Sequence, residues 1–307
     1  MQPVEQLETR RLLAVFTASS VAELVSDINA VNETPEADTI TLAPGSAFTL
    51  TAVDHSNPDG AATGLPAIVP GGGGLTIDGG GDTIERSTAA ATPNFRLFEV
   101  KAGAALTLRN LTIQGGRVVA FGGDAGSGGG VLNYGTLNLD AVVIQNNSTE
   151  GGRGFVGQFP DGYFSAPGGT ALGGGVFSDG PLTMNNCTVR NNSATGGRGG
   201  DSIPRTIGKG GNRVAATDGG DARGGGVYVQ NAAASIRRCV ITANTAQGGA
   251  GGSGGGGGQN GKGLGGGIYI ASGAPVSLDA YTVDLTVGNT TSANNGKDIF
   301  GTYTTVV

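Results

Sequence analysis

A short unit occurs four times in the chain, and this repetition constrains the fold more than any other feature. Each copy begins with three glycines and a Val or Ile, continues through two further short apolar runs and reaches an Asn. The glycine triplets begin at Gly128, Gly173, Gly224 and Gly265. A unit of this size buries its apolar face only against its neighbours. The sequence therefore predicts a solenoid in which each copy forms one coil.

Alternating apolar and polar residues within the copies indicate β-strands. In the first copy the runs are Val131–Asn133, 137–139 and 142–144, and a copy without the glycine triplet fits the same frame from Leu97 onward. Three short strands per unit, with side chains alternating inward and outward, are typical of one coil of a parallel β-helix. We therefore expect an all-β fold, a right-handed parallel β-helix (solenoid) with regular coils over residues 94–301.

Glycine is abundant but unevenly distributed. The 307 residues include 61 Gly, many of them in insertions between the coils at 148–172, 193–223 and 245–264. All three insertions leave just after the Asn, so they should form long Gly-rich loops on one edge of the solenoid. Ordering glycine costs more backbone entropy than ordering any other residue. We expect the insertions to pack as extended polyglycine-like segments bonded side by side, or against another subunit.

The N-terminal region has a helix signal. Ser20 and Glu23 have the spacing of a capping box, and an apolar helical face follows at Leu24, Val25, Ile28 and Val31. We expect a short helix over about 20–32 that caps the first coil. Residues 1–16 are interpreted as a sorting-like or extended segment, and 17–307 as a single parallel β-helix domain.

Charge and hydropathy exclude two classes of partner. The net charge is −6 and the basic residues are scattered, which argues against a nucleic-acid partner. No apolar run approaches the roughly 20 residues of a membrane span, so no transmembrane segment is expected.

The last six residues, 302–307, have the pattern of a strand without a cap. An open strand edge favours head-to-tail self-association into a filament.

The chain resembles bacterial right-handed parallel β-helix surface proteins. Its glycine starts and Asn-ended runs are similar to the repeats of polymorphic outer-membrane proteins, and residues 294–301 are similar to the end of choice-of-anchor β-helix proteins. The stretch 7–13, read as LETRRLL, resembles the LEPR-x-L-L sorting motif of planctomycete exported proteins. The resemblance implies an extracellular or cell-surface location. It implies no chemistry, because fold does not fix function.

Two sets of residues occupy equivalent positions in successive coils. Asn147, Asn192 and Asn244 stand at the same corner, where stacked amides form a hydrogen-bonded ladder; a ligand-binding role is the alternative. Cys187 and Cys239 share a core position, and buried free thiols are favoured over a disulfide. Two thiols in a chain with a single His make a metal site unlikely on ligand count.

A third set consists of aromatic residues. Alternation turns Phe177, Tyr228 and Tyr269 outward, where an exposed column could stack on sugar rings or on a partner. The alternative is that the Gly-rich loops cover the column, because a bare apolar stripe favours aggregation.

Cofactor and catalytic signals are few. The segment 196–203 matches a calcium-binding nonapeptide once, and such sites need tandem copies, so no cofactor is expected and calcium is the one alternative. Asp78, Asp140, Asp179 and Asp279 are interpreted as scattered, and His55 as a loop residue without a partner. No catalytic carboxylate cluster is visible, so we do not expect an enzyme.

The function expected from these observations is a non-catalytic extracellular or cell-surface structural or adhesive protein. Its partners would be copies of itself, other surface proteins or a polysaccharide. The alternatives are a carbohydrate-binding module and a polysaccharide lyase or hydrolase of the pectin-lyase-like fold.

Overall fold

The computed structural model describes residues 15–56, 61–71, 73–159, 162–204, 213–292 and 296–307. The sorting-like stretch 7–13 and the residues 294–295 of the C-terminal motif lie outside these ranges. Across the described residues the protein is an all-β structure with 37 strands and two helices.

Three parallel sheets contain the strands predicted from the repeats, and neighbours along each sheet are hydrogen-bonded. We number the sheets by the order in which the chain visits them after a glycine triplet. The strands of sheet 1 are Phe98–Val100, Val131–Asn133, Val176–Ser178, Val227–Val229, Ile268–Ile270 and Ile299–Phe300. The strands of sheet 2 are Val15–Ala18, Asp38–Leu42, Leu75–Asp78, Ala105–Arg109, Thr136–Asp140, Leu182–Asn185, Ala234–Arg237, Val276–Asp279 and Thr304–Val306. The strands of sheet 3 are Phe48–Leu50, Thr83–Arg86, Thr112–Gln114, Val143–Gln145, Thr188–Arg190, Val240–Thr242 and Thr286–Val287.

Two further parallel sheets and three antiparallel hairpins complete the strands. The strands of sheet 4 are Arg117–Val119, Ser148–Glu150, Ser193–Thr195, Thr245–Gln247 and Thr290–Thr291. The strands of sheet 5 are Gly126–Ser127, Ala171–Leu172, Ala222–Arg223 and Gly263–Leu264. The hairpins pair His55–Ser56 with Ala62–Thr63, Phe155–Phe159 with Gly162–Ala166, and Ile203–Pro204 with Arg213–Val214.

Equivalent positions of successive repeats pair with one another. In sheet 1, Val131 pairs with Val176, which pairs with Val227, which pairs with Ile268. In sheet 2 the parallel pairing already begins at Val15–Ala18, well before residue 94. Successive strands of the chain therefore enter different sheets, and each strand pairs with its counterpart one repeat away.

The repeat contains five strands where the sequence predicted three. Sheets 4 and 5 take the first three and last two residues of each predicted insertion, which leaves insertions at 151–170, 196–221 and 248–262. Apart from Val118, the strands of these two sheets bury only small side chains, among them Ala171, Ala194, Ala222 and Ala246. Such residues carry no apolar pattern, so the two sheets are not visible in the sequence.

The main core lies among sheets 1, 2 and 3. Each of these sheets contributes inward rows of Val, Ile and Leu, such as Val131, Leu137 and Ile144. The four alanines of sheets 4 and 5 form a second, smaller cluster. The outer sides of these sheets remain for other interactions.

The two helices have separate roles. Helix α1, Val21–Asn32, begins at Ser20, whose hydroxyl accepts a 3.2 Å hydrogen bond from the Glu23 amide. It buries Leu24 and Ile28 and packs on the first strands of sheets 2 and 3. Helix α2, Ala280–Asp284, interrupts the fourth copy between sheets 2 and 3. This inserted turn displaces the third apolar run of that copy relative to the other copies.

Candidate functional site

The corner asparagines form one continuous hydrogen-bonded row. The backbone and side-chain amides of Asn147 both donate to Oδ1 of Asn192, at 3.0 Å each. Asn192 donates in the same way to Asn244 at 3.0 and 2.9 Å. Asn147, Asn192 and Asn244 are all fully buried or nearly so, so the row has no face open to a ligand.

The row is longer than the sequence indicated. Asn244 donates to Oδ1 of Asn289, and Asn289 donates twice to the carboxylate of Asp298 at 3.0 Å. At the other end, Oδ1 of Asn147 accepts from the Gly116 amide. The sequence pattern alone does not put Asn289 in register with the other three, because α2 lengthens the fourth copy.

The two cysteines are buried free thiols in the main core. Sγ of Cys187 lies 3.2 Å from the Asn185 carbonyl, and Sγ of Cys239 lies 3.1 Å from that of Arg237. The neighbouring Cys187 thiol and burial raise the pKa of the Cys239 thiol. Cys239 is therefore in its protonated, unreactive form at neutral pH.

The aromatic residues stack on the outer side of sheet 1, but they are not an open surface. Ring centroids are 5.3 Å apart for Phe177 and Tyr228, and 5.1 Å apart for Tyr228 and Tyr269. Phe177 and Tyr228 are only 3% and 5% exposed, and Tyr269 is half-buried. The prediction of an exposed aromatic column is therefore wrong. Leu172 of sheet 5 packs on the column, and the guanidinium of Arg223 lies 5.6 Å from the Tyr269 ring.

The insertions begin and end as extended glycine segments that bond to one another. Outgoing segments follow sheet 4 and returning segments precede sheet 5. We call the six segments the glycine slab: 151–154, 196–200 and 248–252 outgoing, and 167–170, 217–221 and 258–262 returning. The outgoing segments repeat Gly-Gly-x, which matches the three residues per turn of an extended polyproline II helix.

Backbone hydrogen bonds cross the slab from segment to segment. A zigzag of 2.8 Å bonds runs from Gly169 to Gly152, Gly197 to Gly169, Gly220 to Gly197, Gly249 to Gly220 and Gly261 to Gly249, donor first. Other bonds join outgoing segments to each other, as from Gly199 to Ala250. A Cβ atom on Gly197 would lie 1.9 Å from the Gly152 carbonyl oxygen, so only glycine fits there.

In the single calcium-like motif, the aspartate is paired with an arginine of the same motif. Asp201 forms a two-point ion pair with Arg198, whose Nη1 lies 2.9 Å from Oδ2. Its Oδ1 also accepts from the backbone and hydroxyl of Ser253, at 2.7 Å each. These bonds, Arg198 first, hold the pKa of Asp201 well below its usual range. The carboxylate joins two insertions, so the calcium alternative loses its principal ligand.

His55 has partners, contrary to the sequence-based interpretation. It lies in a short strand of a hairpin, with Nε2 2.9 Å from Oε2 of Glu99 and Nδ1 3.1 Å from Asp54. Glu99 is only 2% exposed and also pairs with Lys101. These contacts link the hairpin to sheet 1, a long-range pairing across 44 residues that no local pattern indicates.

The outer face of sheet 2 carries two polar rows that run across the strands. The first row consists of hydroxyl and amide side chains: Thr39, Thr76, Thr107, Asn138, Thr183, Ser235, Ser277 and Thr304. The second row, at the ends of the strands, consists of Asp78, Arg109, Asp140, Asn185, Arg237 and Asp279. Residues of both rows line an open groove of about 720 Å³.

The second row corrects the interpretation of Asp78, Asp140 and Asp279 as scattered, whereas Asp179 lies outside the row and accepts a hydrogen bond from Asn231. In the strand register Arg109 lies between Asp78 and Asp140, and Asp279 lies in the same row. In the aligned repeats, the residues of the second row are those that follow each second apolar run. Because these residues alternate in charge, the sequence pattern does not indicate a row. This groove is the candidate binding site of the described chain.

The described residues contain no convergent set of three or more His, Cys, Asp or Glu side chains arranged to bind a metal ion. Nor does either helix of the described chain have the length and apolar character needed to cross a membrane. Comparison with known proteins gives no match: no protein-family model, no curated protein and no solved structure is detectably similar to the chain.

Proposed function

We propose that the chain is a right-handed parallel β-helix that acts as a stiff structural and adhesive element outside the cell or on its surface. The support for the coil is that each sheet receives one strand per repeat and that equivalent residues pair in register. The extracellular location rests on the resemblance of the repeats and of the N-terminal stretch to exported surface proteins.

The glycine slab is the observation that favours a structural role. Long insertions often serve as ligand-binding loops, but here six segments bond to each other along the axis. The backbones of the segments are closely packed, since Cβ atoms added at many of these glycines would meet carbonyl oxygens at about 2 Å. The insertions therefore stiffen the edge of the solenoid.

Head-to-tail association is a second part of the proposal. Ile299–Phe300 and Thr304–Val306 are the outermost described strands of sheets 1 and 2, and each pairs on one side only. Tyr303 and Val287 are exposed in the same region. Strand edges of this kind pair with strands of other molecules.

Electron microscopy of purified protein and antibody labelling of the intact cells that make it test the two parts separately. We expect rods that lengthen with protein concentration, and label on the surface of unpermeabilised cells. Short rods of one length at every concentration would contradict the association. Label that appears only after permeabilisation would contradict the surface role.

A further inference from the structure

The outer face of sheet 3 carries no insertion over its central strands. The strands Thr112–Gln114, Val143–Gln145 and Thr188–Arg190 are joined to sheets 2 and 4 by connections of two residues each. Two rows of outward side chains run across the strands of this face. The β-branched row consists of Thr83, Thr112, Val143, Thr188 and Val240.

The other row, which we call the glutamine row, is hydrogen-bonded from strand to strand and has opposite charges at its two ends. Its members are Glu85, Gln114, Gln145 and Arg190. The Gln114 amide donates to Oε2 of Glu85 at 2.7 Å, and the Gln145 amide donates to Oε1 of Gln114 at 2.7 Å. Nε of Arg190 donates to Oε1 of Gln145 at 2.8 Å. The bonds hold the four side chains along the face, with the carboxylate and the guanidinium outermost.

Neither end of the glutamine row is neutralised. None of the ion pairs among the described residues involves Glu85 or Arg190. Arg190 is exposed, and its bond to the row uses only Nε. Arg86, next to Glu85, donates instead to the carbonyls of Thr92 and Pro93. One end of the face is therefore acidic and the other basic.

The positions of the two charges are self-complementary. Glu85 and Arg190 are three strands apart, which is about 14 Å at the usual strand separation. A two-fold axis parallel to the strands and midway between Gln114 and Gln145 would set Glu85 of one copy opposite Arg190 of a second copy, twice. The same rotation sets Thr83 opposite Thr188. An interface in which each residue meets its counterpart in this exchanged way is isologous.

We propose that two copies of the chain pair side by side through the outer faces of sheet 3, with their solenoid axes antiparallel. Two ion pairs between Glu85 and Arg190 lie at the ends of the contact, and the β-branched rows pack at its centre. The six strands from Thr49 to Thr242 cover about 24 Å by 10 Å. This is less than the roughly 800 Å² per partner of a stable interface, so one pair of chains associates weakly. The pairing joins rods sideways and does not rest on their end-to-end association.

Sedimentation velocity over a series of protein concentrations, combined with charge exchange, tests the inference. Glu85→Arg and Arg190→Glu should each lower the association constant about tenfold, because both exposed ion pairs become like-charge contacts. An equimolar mixture of the two variants should restore association, since a face with two positive ends then meets a face with two negative ends. Lys262→Glu, the same charge change at an exposed site on the third insertion, should associate like the wild type.

Equal association of the wild type and Arg190→Glu would overturn the inference. So would an equal loss in Lys262→Glu, or a mixture that associates no better than its two components. Restoration in the mixture also shows that both variants are folded, because misfolded chains would not regain binding on mixing. End-to-end association is measured by rod length and involves neither residue, so failure of one proposal leaves the other intact.

Discussion

Replacing Gly249 by Ala tests whether the glycine slab stabilises the protein. Gly249 is buried, donates a 2.8 Å hydrogen bond to the Gly220 carbonyl and accepts a 2.8 Å hydrogen bond from the Gly261 amide. A Cβ atom there would lie 2.0 Å from the Gly197 carbonyl oxygen. The neighbouring atom is backbone, so the contact cannot be relieved by rotating a side chain.

The size of the destabilisation follows from how far the new Cβ atom and the Gly197 carbonyl oxygen must move apart. Real Cβ contacts are essentially never closer than 3.0 Å, so the segments must separate by at least 1.0 Å. That displacement breaks both hydrogen bonds of Gly249 and leaves their buried donors and acceptors unpaired, which costs about 1.5 kcal/mol for each bond. Alanine also loses less entropy than glycine on folding, which returns about 0.5–1 kcal/mol. We expect a net loss of about 2–3 kcal/mol.

Gly257 of the same insertion is the matched control. The nearest atoms to a Cβ there are 3.6 Å away, an ordinary contact, and its φ is not in the left-handed region. Gly257→Ala should be neutral or stabilise the protein by up to about 1 kcal/mol. Thermal unfolding and amide hydrogen exchange compare the two variants, and exchange reports local loss of protection in a repeat array. Equal midpoints and equal slab protection in both variants would refute the reasoning.

Three other predictions concern the asparagine ladder, the residue before a corner asparagine, and the Asp201 contacts that join two insertions. Asn192→Leu should cost about 2–4 kcal/mol in chemical denaturation, because the buried backbone and side-chain amides of Asn147 lose their acceptor, Oδ1 of Asn192; an unchanged midpoint would contradict this. Ala243→Gly should stabilise by about 0.5–1 kcal/mol, since φ is 56° there, whereas Ala246→Gly in sheet 4 should destabilise; the same sign for both would be inconsistent. The pKa of Asp201 is lowered in the folded state, so its stabilisation is present above the unfolded pKa of about 3.9 and is lost as pH falls below it. Carboxyl-carbon NMR should show Asp201 ionised well below pH 3.9 in the wild type. In Arg198→Ala the titration should move towards the ordinary range while the Ser253 hydrogen bonds remain, and an ordinary titration in the wild type or an unchanged titration in the variant would contradict the ion pair.

Much of the strand pattern could be predicted because it has a local signal. The start of α1 follows from Ser20 and Glu23, and the inward rows of sheets 1 to 3 follow from alternating apolar residues. Sheets 4 and 5 could not be predicted, since apart from Val118 their inward residues are alanine, threonine or glycine and their strands are two or three residues long. Short strands of small residues resemble loops in sequence.

The candidate site was harder to predict for a different reason. The residues of the second row on sheet 2, such as Arg109 and Arg237, are about 130 positions apart in the chain and differ in charge from their neighbours. Their proximity depends on the register of successive repeats. The same applies to His55 and Glu99, which meet only because a hairpin folds onto sheet 1.

The asparagine row has a consequence for how a chain of this kind changes its length. Every rung donates in one direction and accepts from the other, from Gly116 to Asp298. A duplicated or deleted whole repeat restores the same donor and acceptor at both of its junctions. An insertion of one residue before Asn192 would instead place the wrong side chain at the corner. Selection should therefore tolerate the gain or loss of complete repeats. It should remove insertions or deletions of a single residue within a repeat.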